Sequence, residues 1–579
     1  MLRLVTGRIG CGKTTRIYEE IRKKTEQGGE VTLIVPEQYS FHTEKKMLEL
    51  LGARGADKVS VVSFSFLAKN LLKKYGLNSK KALDDSTRAM LMSVALDEAG
   101  DDLQVYSRHR YSPAVILQML KTLKDFRQCS VTSDKIEETL PKLKPSLLKD
   151  KLGEILLIDR AYTALVEQNY FDDDCALDIL CTVLDKHRDF DGAEVFIDGF
   201  RGFTAQEYAV LERIMSQAAE TWVTICVDKS DDEFGVFAHT LRTRRKLIRC
   251  AQKSGTNIAK PEQLTRDEGV DPELDTLEKG LYSGGADIYE EETKKITLCS
   301  AEDFESECEF VACTIKRLIR TENIRCRDIA VISRSENNYS RQIRSALIKN
   351  GVPVFEDKRQ PITSEPLIEF VRSAIEIGTS GFSTDALMRL AKTGLTDLTI
   401  EEIAKVENYA LMWQINGKKW LDEWTAHPNG LGEKMLEKDT AELKEINDAR
   451  IKLVAPLQKF RVKLKDFTSP EAAQAIYYLL IDMNVAENLK KLAIKLNERS
   501  QPELAAEQNK IWSLAMEMLD RIAESLKGVR LTPSRFRDLF DLLVSTYSVG
   551  NLPQGLDEIT IGSADRVKTS APKIVFAVG

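Results

Sequence analysis

The sequence predicts an α/β protein made of two parallel-sheet cores, each interrupted by a large helical insertion. Three observations carry this. Residues 2–21 read as a short apolar strand, a glycine-rich loop and a helix. Strand texture returns at 194–198 and 222–227 after helical periodicity over 81–190. A second alternation of strands and helices begins near residue 296. It is broken by helical periodicity over 364–545 and closes with strands at 559–561 and 574–578.

The first core, residues 1–75 and 191–250, opens on Leu2-Arg3-Leu4-Val5, an apolar run suited to a buried strand. Gly7-Arg8-Ile9-Gly10-Cys11-Gly12-Lys13-Thr14 follows and fits G-x-x-x-x-G-K-[ST], and Thr15 enters a helix. Strand, loop and helix in this order are the context a phosphate-binding loop needs: glycines admit phosphate oxygens to backbone N–H groups, and the helix N-terminus favours negative charge. Lys13 would reach the β- and γ-phosphates of ATP, and Thr14 would hold Mg2+. Strands at 31–35 and 59–64 come next, with a helix from about Phe66. Residues 76–190 form the first insertion, with helices expected at 89–99, 114–126 and 152–167.

Val195-Phe196-Ile197-Asp198 is the apolar strand ending in an acid that follows such a loop in the chain, so Asp198 is the second candidate Mg2+ residue. The next position is Gly199. A hydrolysing motor places there a glutamate that polarises water, and groups of that kind contribute on the order of 10²- to 10⁴-fold. Glu194 and Glu207 are near in sequence, but neither is at that step. No glutamine stands beside Val227-Asp228-Lys229-Ser230, where a γ-phosphate sensor would lie, and none precedes the loop to contact adenine.

Residues 251–293 are polar and read as a linker holding one short helix. The second core, residues 294–375 and 551–579, starts with an expected strand Ile296-Thr297-Leu298-Cys299. A helix over 305–320, a strand at 329–332, a helix over 339–350 and a strand at 351–355 follow, and residues 376–550 are the second insertion. Arg334, just after the 329–332 strand, either reaches a γ-phosphate across a cleft or is an exposed arginine at a strand end; the sequence weighs these evenly. The chain stops immediately after a buried-type strand, which leads to the expectation of a piece of a longer protein.

Two segments are candidates for contact with single-stranded DNA: Pro36-Glu37-Gln38-Tyr39-Ser40-Phe41 and Ser63-Phe64-Ser65-Phe66. Their rings can stack on bases, and their hydroxyls and N–H groups can bind phosphates. The competing reading is a helix cap over core aromatics. It is the more economical one for Phe64 and Phe66, whereas Gln38 and Tyr39 stand level.

Composition limits the alternatives. The net charge of −7, from 83 basic and 90 acidic residues, does not advertise nucleic-acid binding, so any DNA surface must be local. Two basic runs exist, 242–246 and 142–151, and a solvated helix face explains each as it stands. No apolar run approaches the roughly 20 residues that span a membrane. The ten cysteines are scattered without a C-x-x-C pair, which is read as reduced thiols in a cytoplasmic protein without a zinc or iron–sulfur site of its own.

Taken together, Gly7–Thr14, Val35-Pro36-Glu37-Gln38, Val62-Ser63-Phe64, Phe196-Ile197-Asp198-Gly199-Phe200, Ile329-Ala330-Val331-Ile332-Ser333-Arg334, Lys392-Thr393-Gly394-Leu395 and Gly562-Ser563-Ala564-Asp565-Arg566 resemble the AddB family, the B-type chains of AddAB-type bacterial ATP-dependent helicase–deoxyribonucleases. The resemblance runs over essentially the whole chain. It implies two RecA-like cores like those of UvrD-type superfamily 1 helicases. It implies work in DNA double-strand-break repair and recombination as a heterodimer with the AddA-type chain, which carries the active motor. It also implies binding of single- and double-stranded DNA, including a recombination-hotspot sequence. An exonuclease domain with its iron–sulfur cluster would lie beyond Gly579, so no nuclease residue is assigned. An active translocase using another carboxylate, or a scaffold that only docks the AddA-type chain, are the competing functions.

Overall fold

The computed structural model describes residues 1–77, 80–228, 235–265, 271–283, 288–334, 336–356, 359–431, 434–464, 467–499, 501–525, 530–550, 557–563 and 572–579. The first sheet contains β1 (Leu2–Gly7), β2 (Val31–Ile34), β3 (Val59–Val62), β4 (Glu194–Ile197), β5 (Glu220–Cys226) and β6 (Glu262–Gln263). Their order is β3-β2-β4-β5-β1-β6, and every pairing is parallel. Leu2, Leu4 and Val5 of β1 are at most 1% exposed. That explains why its strands read as continuous apolar runs: both faces are covered by helices. The chain leaves β1, crosses two strands to β2 and returns through β4 and β5. The carboxyl ends of β1, β4 and β5 therefore meet at a topological switch point, where open α/β sheets bind ligands.

The second sheet contains β7 (Ile329–Ser333), β8 (Val354–Glu356), β9 (Ile559–Gly562) and β10 (Ile574–Val578), in the order β8-β9-β7-β10 and again parallel. Its core joins Ile329, Val331, Ile559 and Ile561 to Val311 and Ile315 of helix Phe304–Glu322 and Ile343 of helix Glu336–Lys349. The architecture is thus α/β, with two parallel sheets and many helices.

Two expectations need correction. Residues 296–299 form no strand: Leu298 is 97% exposed, and no ladder partner is present among the described residues. Two apolar residues at alternate positions do not hold a strand without a neighbour to bond to. The segment read as a linker is also more than one. It supplies β6, whose pairing Val5↔Glu262 and Thr6↔Gln263 extends the first sheet. Its helix Pro272–Ser283 carries Glu273, which accepts the backbone N–H groups of Lys294, Lys295 and Ile296.

The helical segments build two cores of their own. One spans 362–544 around Trp420, Phe370, Phe382, Tyr409 and Phe536, and the other spans 83–166 around Ile116, Ile158 and Tyr162. They are not independent. Met90 belongs to the first cluster and Leu542 to the second. Arg535 donates to the Ser93 carbonyl (3.1 Å) and hydroxyl (2.6 Å), and Arg521 pairs with Asp84 and donates to the Thr87 hydroxyl at 3.1 Å.

Candidate nucleotide site and its surroundings

The loop from Gly7 to Gly12 owes its path to glycine at particular points. Gly10 and Gly12 hold φ of 75° and 82°, in the left-handed region that side chains disfavour. A Cβ on Gly7 would come within 2.4 Å of Cys11 Sγ and 2.8 Å of the Leu264 carbonyl, because the loop turns hard against the β6 edge. Helix Lys13–Glu26 then begins on Gly12 without a side-chain cap. Helices Phe64–Lys74 and Ala205–Gln217 differ, being capped by the hydroxyls of Ser63 and Thr204. The first turn of the Lys13–Glu26 helix therefore offers its N–H groups to an anion.

Lys13 folds back over the loop, its ammonium donating to the carbonyls of Gly7 (2.9 Å) and Arg8. Thr14 donates at 2.9 Å to one carboxylate oxygen of Asp198, and Thr224 of β5 donates to the other. Asp198 is 8% exposed. The register explains the meeting: Ile197 pairs with Val223 and Val5 with Thr224, so Asp198 and Thr224 lie level just below the loop. Burial raises the pKa of Tyr18 on the first helix, and the Asp198 carboxylate beside it raises it further. A hydroxyl and a carboxylate side by side are hard oxygen donors, the kind Mg2+ takes. The glycine cradle, free helix N-terminus and lysine fit a phosphate chain. Thr15 continues the same turn, and Ile9 is exposed on the loop.

Arg8 turns away from the loop. It pairs with Asp228 at 2.8 Å and Glu278 at 3.4 Å. Burial works against its charge, and the two carboxylates outweigh it, so its pKa is raised. Asp228 and Glu278 are thereby engaged by an arginine, which binds the Pro272–Ser283 helix to the site.

Gly199 takes φ of +84°, and a Cβ there would face Pro36 Cδ at 3.4 Å and Tyr39 Cδ2 at 3.6 Å. The step after Asp198 is built for glycine. Glu194 stands at the other end of β4, about 16 Å away at the rise of a strand, in a 2.7 Å pair with Lys24. Glu207 is used in a capping box, accepting the Thr204 N–H at 2.7 Å. Among the described residues no group of three His, Cys, Asp or Glu is arranged to hold a metal, and no helix is long and apolar enough to cross a membrane.

The 36–41 and 63–66 segments emerge side by side from the carboxyl ends of β2 and β3. Gln38 and Tyr39 lie in a short 3-10 turn, Gln38 exposed and Tyr39 half-buried, and Phe41 is 80% exposed. Phe64 and Phe66 separate. Phe64 is 4% exposed, its ring 5.5 Å from Phe200 and 6.1 Å from Phe203, whereas Phe66 is 52% exposed. Arg334 is exposed at the end of β7 and makes no hydrogen bond or ion pair with the loop among the described residues. Residues 229–230 and 564–566 lie outside the described residues. Thr224, Asp228, Glu278 and Phe203 were not singled out from the sequence. Only Thr224 had a signal there, as a polar residue inside an apolar strand.

Residues 4–278 match a family model described as ADDB, N-terminal, and residues 237–412 match the UvrD-like helicase C-terminal domain. Curated proteins named as the B-type chain of an ATP-dependent helicase/deoxyribonuclease align with the whole chain. The protein of Thermoanaerobacter sp. (strain X514) is 31% identical over 595 residues, and that of Clostridium novyi (strain NT) is 31% identical over 587. The chain belongs to the AddB family of helicase/deoxyribonuclease chains. It spans about half the length of these relatives, 51% in both cases.

Proposed function

We propose that this chain is the ATP- and DNA-binding, helicase-like module of the AddB-type chain of a bacterial helicase–nuclease for double-strand-break repair and recombination, acting in the cytoplasm beside an AddA-type partner. In this reading it holds ATP–Mg2+ and hydrolyses it poorly. One observation carries the reading: the loop is joined to Asp198 through Thr14, while the next step is a left-handed glycine. Glu194 and Glu207 are committed elsewhere, and Asp228 and Glu278 are held by Arg8.

The two sheets would be RecA-like cores, divided as 1–75 with 191–250 and 294–375 with 551–579. The first core's backbone N–H groups at 10–15 would bind phosphate oxygens, and Lys13 would exchange its two carbonyl partners for them. Thr14 and Asp198 would hold Mg2+, which supplies charge neutralisation at the phosphates. Arg334 would approach from the second core. Gln38, Tyr39 and Phe66 would meet single-stranded DNA and contribute to reading a hotspot sequence, with Phe64 supporting them from below.

The test is equilibrium binding of ATP–Mg2+ and steady-state ATPase, with and without single-stranded DNA. Tight binding, weakened on the order of 10- to 100-fold by Lys13→Ala through loss of charge-assisted bonds, with slow turnover throughout, is the expected result. Rapid DNA-stimulated turnover abolished by Lys13→Ala would overturn it in favour of an active translocase.

A further inference from the structure

The helix Ala238–Lys253 contains six Lys or Arg residues and no Asp or Glu, in a chain whose acids outnumber its bases. Its apolar side, Leu241, Leu247, Cys250 and Ala251, is buried in the first sheet's core. Arg242, Lys246, Arg249 and Lys253 are exposed, and none forms an ion pair among the described residues. Steps of four, three and four put them on one line along the helix, about 16 Å long. Arg244 and Arg245 are engaged elsewhere and form no part of this line. Like charges so spaced repel one another and find no relief on their own helix.

Ring contacts link the line to the buried Phe64 of the 63–66 segment. Phe64 touches Phe200 and Phe203, Phe203 lies 5.4 Å from Tyr208, and Lys246 sits 5.2 Å over the Tyr208 ring. The helix is fastened to the segment that follows Asp198: Thr243 donates to the Arg201 carbonyl at 3.2 Å, and Gly202 is backed directly by His239. We infer that the exposed line Arg242–Lys246–Arg249–Lys253 is a track for the phosphate backbone of the DNA strand that passes the 36–41 and 63–66 segments. This rests on the DNA-binding reading above. The chemistry is positional rather than base-specific, since cations on phosphates fix register without reading sequence.

The experiment is anisotropy with a fluorescent oligo(dT) strand between 50 and 200 mM NaCl. It compares the wild-type chain, the quadruple variant R242Q/K246Q/R249Q/K253Q and a control with the same charge loss elsewhere, K142Q/K144Q/K149Q/K151Q. Each phosphate contact on a single strand adds about 0.7 to the salt slope. The track variant should therefore lose about three units of slope, which makes the wild type's decline over this range about 50-fold steeper. The control should keep the wild-type slope, and all three should share one melting midpoint. Equal slopes in wild type and track variant, or equal losses in track variant and control, would overturn the track while leaving DNA binding intact. A wild type that does not bind at 50 mM would overturn the DNA reading itself.

Discussion

Gly199→Glu, which places an acid directly after Asp198, tests whether one side chain at that step is enough to confer DNA-stimulated hydrolysis. The backbone there sits at φ of +84°, and left-handed geometry costs a side-chain-bearing residue about 1–2 kcal/mol. Sterics add little, because the nearest atoms to a new Cβ are at 3.4 and 3.6 Å, ordinary contact. The expected loss is thus about 1.5 kcal/mol for Gly199→Glu and for Gly199→Ala alike. With a urea dependence of about 2 kcal/mol per molar, both midpoints should fall by roughly 0.7 M. The Cβ faces Pro36 and Tyr39, so the new carboxylate would lie against the segment proposed to meet DNA. ATPase should stay at the wild-type level, and affinity for single-stranded DNA should drop. DNA-stimulated turnover in Gly199→Glu at unchanged stability would refute the argument, and so would an unshifted midpoint in Gly199→Ala.

The two phenylalanines of the 63–66 segment should part company. Phe64→Ala, in the buried cluster, should cost about 3–5 kcal/mol in urea unfolding. Phe66→Ala should leave stability within about 0.5 kcal/mol and weaken oligonucleotide binding by about 1–3 kcal/mol in anisotropy; the reverse pattern would retire the assignment. Acid should loosen the contact between the helical regions. Burial pushes the Asp84 pKa up, but Ser86, Thr87 and Arg521 outweigh it and hold it below the usual carboxylate value. Its contribution is therefore complete above about pH 3.9 and is lost as pH falls through the lower folded value. Asp84→Asn keeps the helix cap and drops the charge. It should melt earlier than wild type at neutral pH, and the two melting curves should converge as the pH falls through the lowered folded-state value of Asp84; parallel curves would contradict this.

Much of the α/β framework was legible in the sequence because buried parallel strands are apolar on both faces, so β1, β4, β5 and β7 stand out as runs. The turn of the Gly7–Thr14 loop was legible because Gly10 and Gly12 take a left-handed backbone geometry that other residues disfavour. β6 was hidden because Glu262–Gln263 is short and polar, and its place is set by hydrogen bonds to β1 rather than by burial. The strand expected at 296–299 failed for the complementary reason, an apolar run without a partner. Within the site, the Thr14–Asp198 contact followed from motif order, while Thr224 and the Arg8 pairs with Asp228 and Glu278 depend on register and on a helix some 270 residues downstream.

The seam between the two helical regions has a mechanical consequence. Helix Asp85–Glu98 comes from one helical region and helix Pro533–Thr546 from the other, yet Met90 and Leu542 are each buried in the opposite core. Such a seam acts as a strut across the molecule. Rotation of one sheet against the other must either carry both helical regions as one body or shear a buried interface and strip Arg535 from Ser93. A motor works by cheap, repeated closure of its cleft. Braced in this way, the two helical regions are better suited to holding one shape than to moving apart.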